Sequence, residues 1–220
     1  MKPLKITFEL DTPIRIPEYP IHFDGVLAYA TVQDGLNRGQ TVEEAQEALP
    51  LQEHEAGEAR VWKASWIDFS PGERFSLPIQ RTFDLTQTVL DGGRVYHKLR
   101  REGWAGEISS SPYKAYLFNE PLRMSNRATA WCVGDADAIA SLLDQHVAYL
   151  GKLARIGMGR IRSIDIAEDE QATVLWMRRT LPFDPSIAGY TRVFETCRAP
   201  YWRRENRKIA WAPIAMQTEA

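Results

Sequence analysis

Cysteine is scarce in this chain: Cys132 and Cys197 are the only two in 220 residues. They lie far apart, so neither a disulfide framework nor a zinc cluster is expected, no metal or cofactor is implied, and a cytoplasmic location is the default. Long apolar runs are lacking too. No segment approaches the roughly 18 consecutive apolar residues of a membrane helix, and the opening MKPLKITFEL has no signal-type apolar stretch, so no membrane partner is expected. An excess of one charge is the third absence. With a formal net charge of −2, overall basicity is excluded as a means of holding nucleic acid, and any such surface must come from local segregation.

What is present suffices for a substantial core, since 44% of the residues are apolar. One domain over residues 1–220 is expected, with a core to about residue 168 and a C-terminal extension over about 169–220. Charge is segregated along it. Glu43, Glu44, Glu47, Glu53, Glu55 and Glu58 fall in a stretch without Lys or Arg, whereas the tail from Arg198 to Lys208 is basic.

The other basic stretch is Leu150 to Ile164, LGKLARIGMGRIRSI, with three glycines, four cations and no carboxylate before Asp165. Ahead of it, Asp135 and Asp137 are candidate N-caps, and Ile139, Leu142, Leu143, Val147 and Leu150 recur at helical spacing. Gly151 is expected at the C′ position of that helix. Gly157 and Gly159, around Met158, can take positive φ and admit a close ligand. Beside them Lys152, Arg155, Arg160 and Arg162 suit a polyanion, with phosphate the obvious choice. Known nucleotide motifs do not fit. A Rossmann fingerprint opens a helix after a strand, and here the order is helix, glycines, strand; a P-loop lacks its first glycine and its hydroxyl residue.

Along the rest of the chain, Leu4, Ile6, Phe8 and Leu10 alternate as a half-buried strand, and His22 to Gln33 reads as a helix capped by Asp24, its stripe formed by Val26, Leu27, Ala30 and Tyr29. Thr41-x-x-Glu44 is a capping box for a short acidic helix that Pro50 closes. Arg60 to Phe69 and Phe75 to Phe83 read as a hairpin turning at Pro71-Gly72, an insertion over about 60–83. Its Arg60, Trp62, Lys63, Trp66, Arg74 and Arg81 can stack bases and bind phosphate; equally, the tryptophans suit a core or an interface. Asp91-Gly92-Gly93-Arg94 is a turn, and Tyr113 to Phe118 and Arg127 to Val133 are strands. Ile161, Ile164 and Ile166 resume an extended run; Thr173 to Met177 and Thr191 to Thr196 follow as further extended segments. The order gives an α+β class with a β-α-β-β-α-β core, the ferredoxin-like (RRM-like) arrangement.

Pro112-Tyr113-Lys114-Ala115-Tyr116, Val133-Gly134-Asp135, the helix ending Tyr149-Leu150-Gly151-Lys152 and Arg155-x-Gly157-x-Gly159-Arg160 together resemble the RAMP superfamily of CRISPR-associated RNA-binding proteins. With His22-Phe23-Asp24-Gly25-Val26-Leu27-Ala28-Tyr29-Ala30 after the first strand, the chain looks most like the handle-binding subunit of type IV (Csf) effector complexes. That resemblance implies a non-catalytic structural subunit that grips the 5′ handle of the CRISPR RNA and caps the backbone filament. Backbone RAMP subunits and a large subunit would be its partners, a hairpin thumb would contact the neighbouring backbone subunit, and target DNA would be reached only through guide pairing. The RNA-binding residues it implies are Gly151, Lys152, Arg155, Gly157, Met158, Gly159, Arg160 and Arg162.

Two other classes compete. Some RAMP proteins cut repeat RNA without metal, using a histidine near the first helix as general base; His22 stands in about that place, with Tyr29 and Lys152 as partners. His54, His97 and His146 have weaker claims. A free-standing nucleotide-binding regulator needs a base pocket that no motif marks.

Overall fold

The computed structural model of the protein describes residues 1–15, 17, 19–47, 49–57, 59–81, 116–201 and 203–214. Two compact units divide the chain, Met1–Glu73 with Arg123–Ala220, and Arg74–Leu122. The first begins with β1 (Lys2–Leu10), β2 (Ile14–Arg15), α1 (Phe23–Asn37), α2 (Val42–Glu47), β3 (Glu53–Ala56), β4 (Ala59–Trp62) and β5 (Asp68–Phe69). The second contains β6 (Arg74–Arg81) beside β7 (Tyr116–Arg123). The first unit then resumes with β8 (Arg127–Gly134), α3 (Ala136–His146), β9 (Ile161–Glu168), α4 (Ala172–Leu175), β10 (Tyr190–Thr196) and β11 (Arg207–Pro213). The Asp91 turn and residues 112–115 lie outside the described residues.

The protein is a mixed α+β structure with antiparallel sheets. Its main sheet runs β5-β8-β1-β9, and every neighbouring pair is antiparallel. Alternation dictates the buried face: Leu4, Ile6, Phe8 and Leu10 of β1 are all buried, and they share one core with Leu27 and Ala30 of α1 and Ile139 and Leu143 of α3. The α3 cap is Asp135, whose carboxylate accepts from the N–H groups of Asp137 and Ala138 at 3.1 Å each. The capping box also forms, with Glu44 accepting from Thr41 N–H at 2.9 Å and Thr41 Oγ1 accepting from Glu44 N–H at 3.3 Å.

Four expectations are corrected. The α3 helix ends at His146, not Leu150, so Gly151 is not its C′ residue; beyond it the chain is extended and pairs with the far side of the glycine loop, Leu150 N–H donating to the Gly159 carbonyl at 2.8 Å. Residues 60–69 and 75–83 do not form a hairpin with each other. Instead β4 pairs with β3, Ala64 bridges Cys132, and β5 pairs with β8, so this run extends the main sheet while β6 lies beside β7. Burial on both faces explains it, because Val61, Trp62, Ala64 and Trp66 are all shielded. Thr173 to Met177 is not extended: α4 forms there, helped by Asp169 and Glu170, which accept from Gln171 N–H at 3.0 Å and Thr173 Oγ1 at 2.6 Å. Asp24, finally, is no helix cap; His22 holds that position without a side-chain capping bond.

Asp24 instead faces Arg179 in the interior, both side chains having no exposure. The guanidinium donates to Asp24 Oδ2 (3.1 Å), to the carbonyls of Trp62 (2.8 Å), Ala64 (2.9 Å) and Cys197 (2.7 Å), and to the Tyr201 hydroxyl (2.7 Å). Tyr201 in turn donates to Asp24 at 2.8 Å. These bonds hold the segment around Tyr201 against the start of α1. Removing one member of a buried pair strands the other charge, a loss of roughly 3–5 kcal/mol. Asp24→Ala is therefore expected to lower the urea unfolding free energy by about that much, whereas Tyr201→Phe, which leaves the ion pair in place, should lose about 1–3 kcal/mol. A loss under about 1 kcal/mol for Asp24→Ala would mean that the pair does not hold the fold.

Candidate functional site

The glycine loop is closed at its base by antiparallel backbone bonds, Leu150 N–H to the Gly159 carbonyl (2.8 Å) and Ile161 N–H to that of Ala148 (2.9 Å). Four residues take left-handed backbone: Gly151 (φ 77), Leu153 (φ 69), Gly157 (φ 83) and Gly159 (φ 71). A single 3-10 turn, Ala154–Ile156, lies among them. The short segment between β1 and β2 anchors the loop. Thr12 Oγ1 donates to the Gly157 carbonyl and accepts from Arg160 N–H, both at 2.8 Å, while Gly159 N–H donates to the Pro13 carbonyl at 2.8 Å.

The last two glycines serve different ends. A Cβ on Gly159 would stand 2.1 Å from the Leu150 carbonyl oxygen, so glycine there permits close packing of the chain on itself. A Cβ on Gly157 would meet nothing within 4 Å, and only its φ asks for glycine. Met158 is half-buried between them.

The fold also brings carboxylates to a segment that has none in sequence. Arg160 bonds Asp11 at 2.7 Å, and Arg162 approaches Glu9 at 3.6 Å and Asp11 at 3.7 Å. Lys152 and Arg155 are exposed and have no ion pair among the described residues. The uncompensated positive charge of the loop is therefore on these two.

The hairpin residues of the first unit are engaged by the protein's own groups. Arg60 faces Glu55 at 3.4 Å and Glu53 at 3.9 Å, and Lys63 donates to Gln52 at 3.0 Å. Trp62 and Trp66, 6% and 7% exposed, are covered by the protein's own cations: Arg198 lies 4.6 Å from the Trp62 ring centroid and Arg178 5.1 Å from that of Trp66, whose Nε1 donates to Asp68. Neither indole face is free to stack a base. Arg74 and Arg81 belong to β6 in the other unit.

Beside the loop lies a cleft of about 1230 Å3. Its lining joins His22 and Tyr29 of the α1 region, Tyr149 and Lys152 of the loop, and Val193 and Thr196 of β10. His22 and Tyr29 thus meet Lys152, which is far from them in sequence, around one cavity. The His22 ring is buried and stacks on Tyr201 (centroids 5.0 Å apart, 12° between planes). Burial, with Arg179 nearby, holds its imidazole well below the ordinary histidine range and hence neutral. His54 rests against Trp176 and Phe183, each 5.2 Å away, His146 is 3.9 Å from Asp34, and His97 is outside the described residues. Among the described residues no cluster of metal-ligating side chains forms. Thr196, Arg179 and Tyr201 carry no motif and are placed here by the fold alone.

Two outcomes are expected. Gly157→Ala should cost about 1 kcal/mol, the strain of left-handed backbone in an L residue, whereas Gly159→Ala, which adds a backbone clash, should lower the melting temperature several times further; equal shifts would show that the loop relaxes freely. The second concerns pH. A histidine with a depressed folded pKa releases its proton on folding, so its contribution is complete above the ordinary value of 6.5 and declines as pH falls below it. Wild type should therefore lose stability relative to His22→Phe on acidification, by at most about 1.4 kcal/mol per pH unit. Parallel stability curves from pH 7 to pH 5 would place the imidazole in solvent.

Comparison with known sequences adds one finding. A family model described as CRISPR type IV associated protein Csf3 matches residues 2–213. No curated protein matches the chain. The family match takes in β1, α1, the glycine loop, the cleft and the terminal β10–β11 pair. The chain therefore belongs to the CRISPR type IV associated protein Csf3 family.

Proposed function

We propose that this chain is a non-catalytic RNA-binding subunit of a type IV effector ribonucleoprotein, holding the guide RNA 5′ handle at the glycine loop and capping the backbone filament. The observation that carries the reading is the loop itself: left-handed backbone pinned by Thr12 and Pro13, with Lys152 and Arg155 exposed and without an ion pair among the described residues, beside a large cleft. An ordered loop with free cations suits a phosphate chain at little ordering cost. The strand order β5-β8-β1-β9, with α1 and α3 packed on one face, supports a ferredoxin-like core. Backbone and large subunits of the complex are its partners, target DNA is reached through guide pairing, and the setting is cytoplasmic. None of the helices among the described residues is long and apolar enough to cross a membrane.

One observation favours a second reading, a metal-independent endoribonuclease: His22, Tyr29 and Lys152 line one cleft. Against it, His22 is buried under Tyr201, and a general base must come within hydrogen-bond reach of the 2′-hydroxyl it deprotonates. Repeat RNA incubated with the purified subunit should stay intact; cleavage that His22→Ala abolishes would establish the enzyme.

Salt dependence tests the binding reading. On single-stranded RNA each neutralised phosphate contributes about −0.7 to the slope of log affinity against log salt. A Lys152→Ala, Arg155→Ala double variant should flatten the slope by about 1.4, and Arg160→Ala, already paired with Asp11, by less. The measurement is fluorescence anisotropy of a labelled handle RNA with the assembly that copurifies on coexpression with the neighbouring genes. An unchanged slope in the double variant, or no RNA bound by any assembly, would overturn the assignment.

A further inference from the structure

The cleft beside the glycine loop holds polar groups that the protein leaves unpaired. His22 Nδ1 and Thr196 Oγ1 are buried without a hydrogen-bond partner, and both residues, 9% and 5% exposed, line the cavity. A third, His146 Nε2, lines it as well and has only Asp34 at 3.9 Å, beyond hydrogen-bond distance. An unpaired buried donor or acceptor is destabilising, and such groups ask for an explanation where they gather. Here the three residues that carry them line one cavity, coming from the start of α1, the end of α3 and β10.

The remaining lining says what would satisfy them. Tyr19, Tyr29 and Tyr149 are exposed at the cleft, offering ring faces to a planar ligand, and Val26 and Val193 add apolar wall. Two cations, Lys152 and Arg207, and one carboxylate, Glu195, also line it, so positive charge is in excess. Flat surface, neutral hydrogen-bonding groups and a cation match a nucleobase, its polar edge and its phosphate. At about 1230 Å3 the cavity exceeds the roughly 300–1,000 Å3 of ordinary small-molecule sites, leaving room for a nucleotide still joined to its chain.

We infer that this cleft is a nucleotide site: a base lies against the tyrosines with its edge on the Thr196 hydroxyl, and its phosphate meets Lys152. Two sources share this chemistry, an unstacked nucleotide of bound RNA and a free nucleotide. The inference rests on the RNA-binding reading for the first source and is independent of it for the second.

The test uses the full chain, alone and in its copurified assembly, with the four ribonucleoside 5′-monophosphates, the matching nucleosides, inorganic phosphate and short single-stranded RNA. Melting temperature and anisotropy are the readouts. At least one nucleotide or the RNA should bind, and inorganic phosphate alone should not. Thr196→Val, which keeps the shape and removes the hydroxyl, should weaken binding about tenfold, the worth of one hydrogen bond. Val193→Trp should abolish it by filling the cavity. Lys152→Ala should weaken the monophosphate and spare the nucleoside. Binding of RNA but not of mononucleotides, lost in Val193→Trp, supports the site with RNA as its source; binding of mononucleotides supports the site with a free ligand. If neither binds, or if both variants bind as wild type, the inference falls. RNA affinity that drops in the Lys152 and Arg155 double variant yet ignores Thr196→Val and Val193→Trp sinks this site alone and leaves the RNA-binding reading standing.

Discussion

A guanidinium without solvent contact must find acceptors for its N–H groups, and Arg179 finds them on three separate parts of the chain. Carbonyls of Trp62, Ala64 and Cys197, the Asp24 carboxylate and the Tyr201 hydroxyl all converge on it. The planar fork of donors imposes their relative placement, which a lysine with one ammonium would not. Around that point are arranged the start of α1, the strand that extends the main sheet, and the segment that puts Tyr201 over His22. One wall of the cleft therefore depends on an ion pair in the interior, and the buried histidine beside it is kept neutral by the same surroundings.

The glycine loop depends on a different constraint. Its backbone is held from outside by Thr12 and Pro13, and from within by the approach of Gly159 to Leu150. Such a loop presents its cations from a fixed frame, so little conformational entropy is lost when a polyanion settles on it. Not every cation is available. Asp11 and Glu9 at the end of β1 engage Arg160 and Arg162, leaving Lys152 and Arg155 to face outward. The pairing gives the loop a direction, neutral at its β9 end and positive at its beginning, next to the cleft.

Much of the fold is legible in the residues. The alternation of Leu4, Ile6, Phe8 and Leu10, the Asp135 cap and the Thr41–Glu44 box each act within a few positions, and each appears in the structure where the spacing puts it. Local rules fail where the outcome is decided by distant partners. Trp62 and Trp66 alternate with polar neighbours in a hairpin-like pattern, yet the strand joins the main sheet because both of its faces find cover. The helix expected to run to Leu150 stops at His146, where the backbone turns to pair with residues 159–161, more than ten positions on.

For the site, the sequence by itself determined the chemistry on offer: glycines that admit left-handed backbone, a cluster of cations, and a histidine ahead of a helix. Backbone preference and side-chain charge are properties of single residues and survive in any fold. Tertiary structure alone decided which cations are spent on carboxylates, that His22 is buried and neutral, and that Tyr29, Lys152 and Thr196 face one cavity. Those outcomes depend on distance and desolvation, which arise only when segments more than a hundred residues apart are packed together.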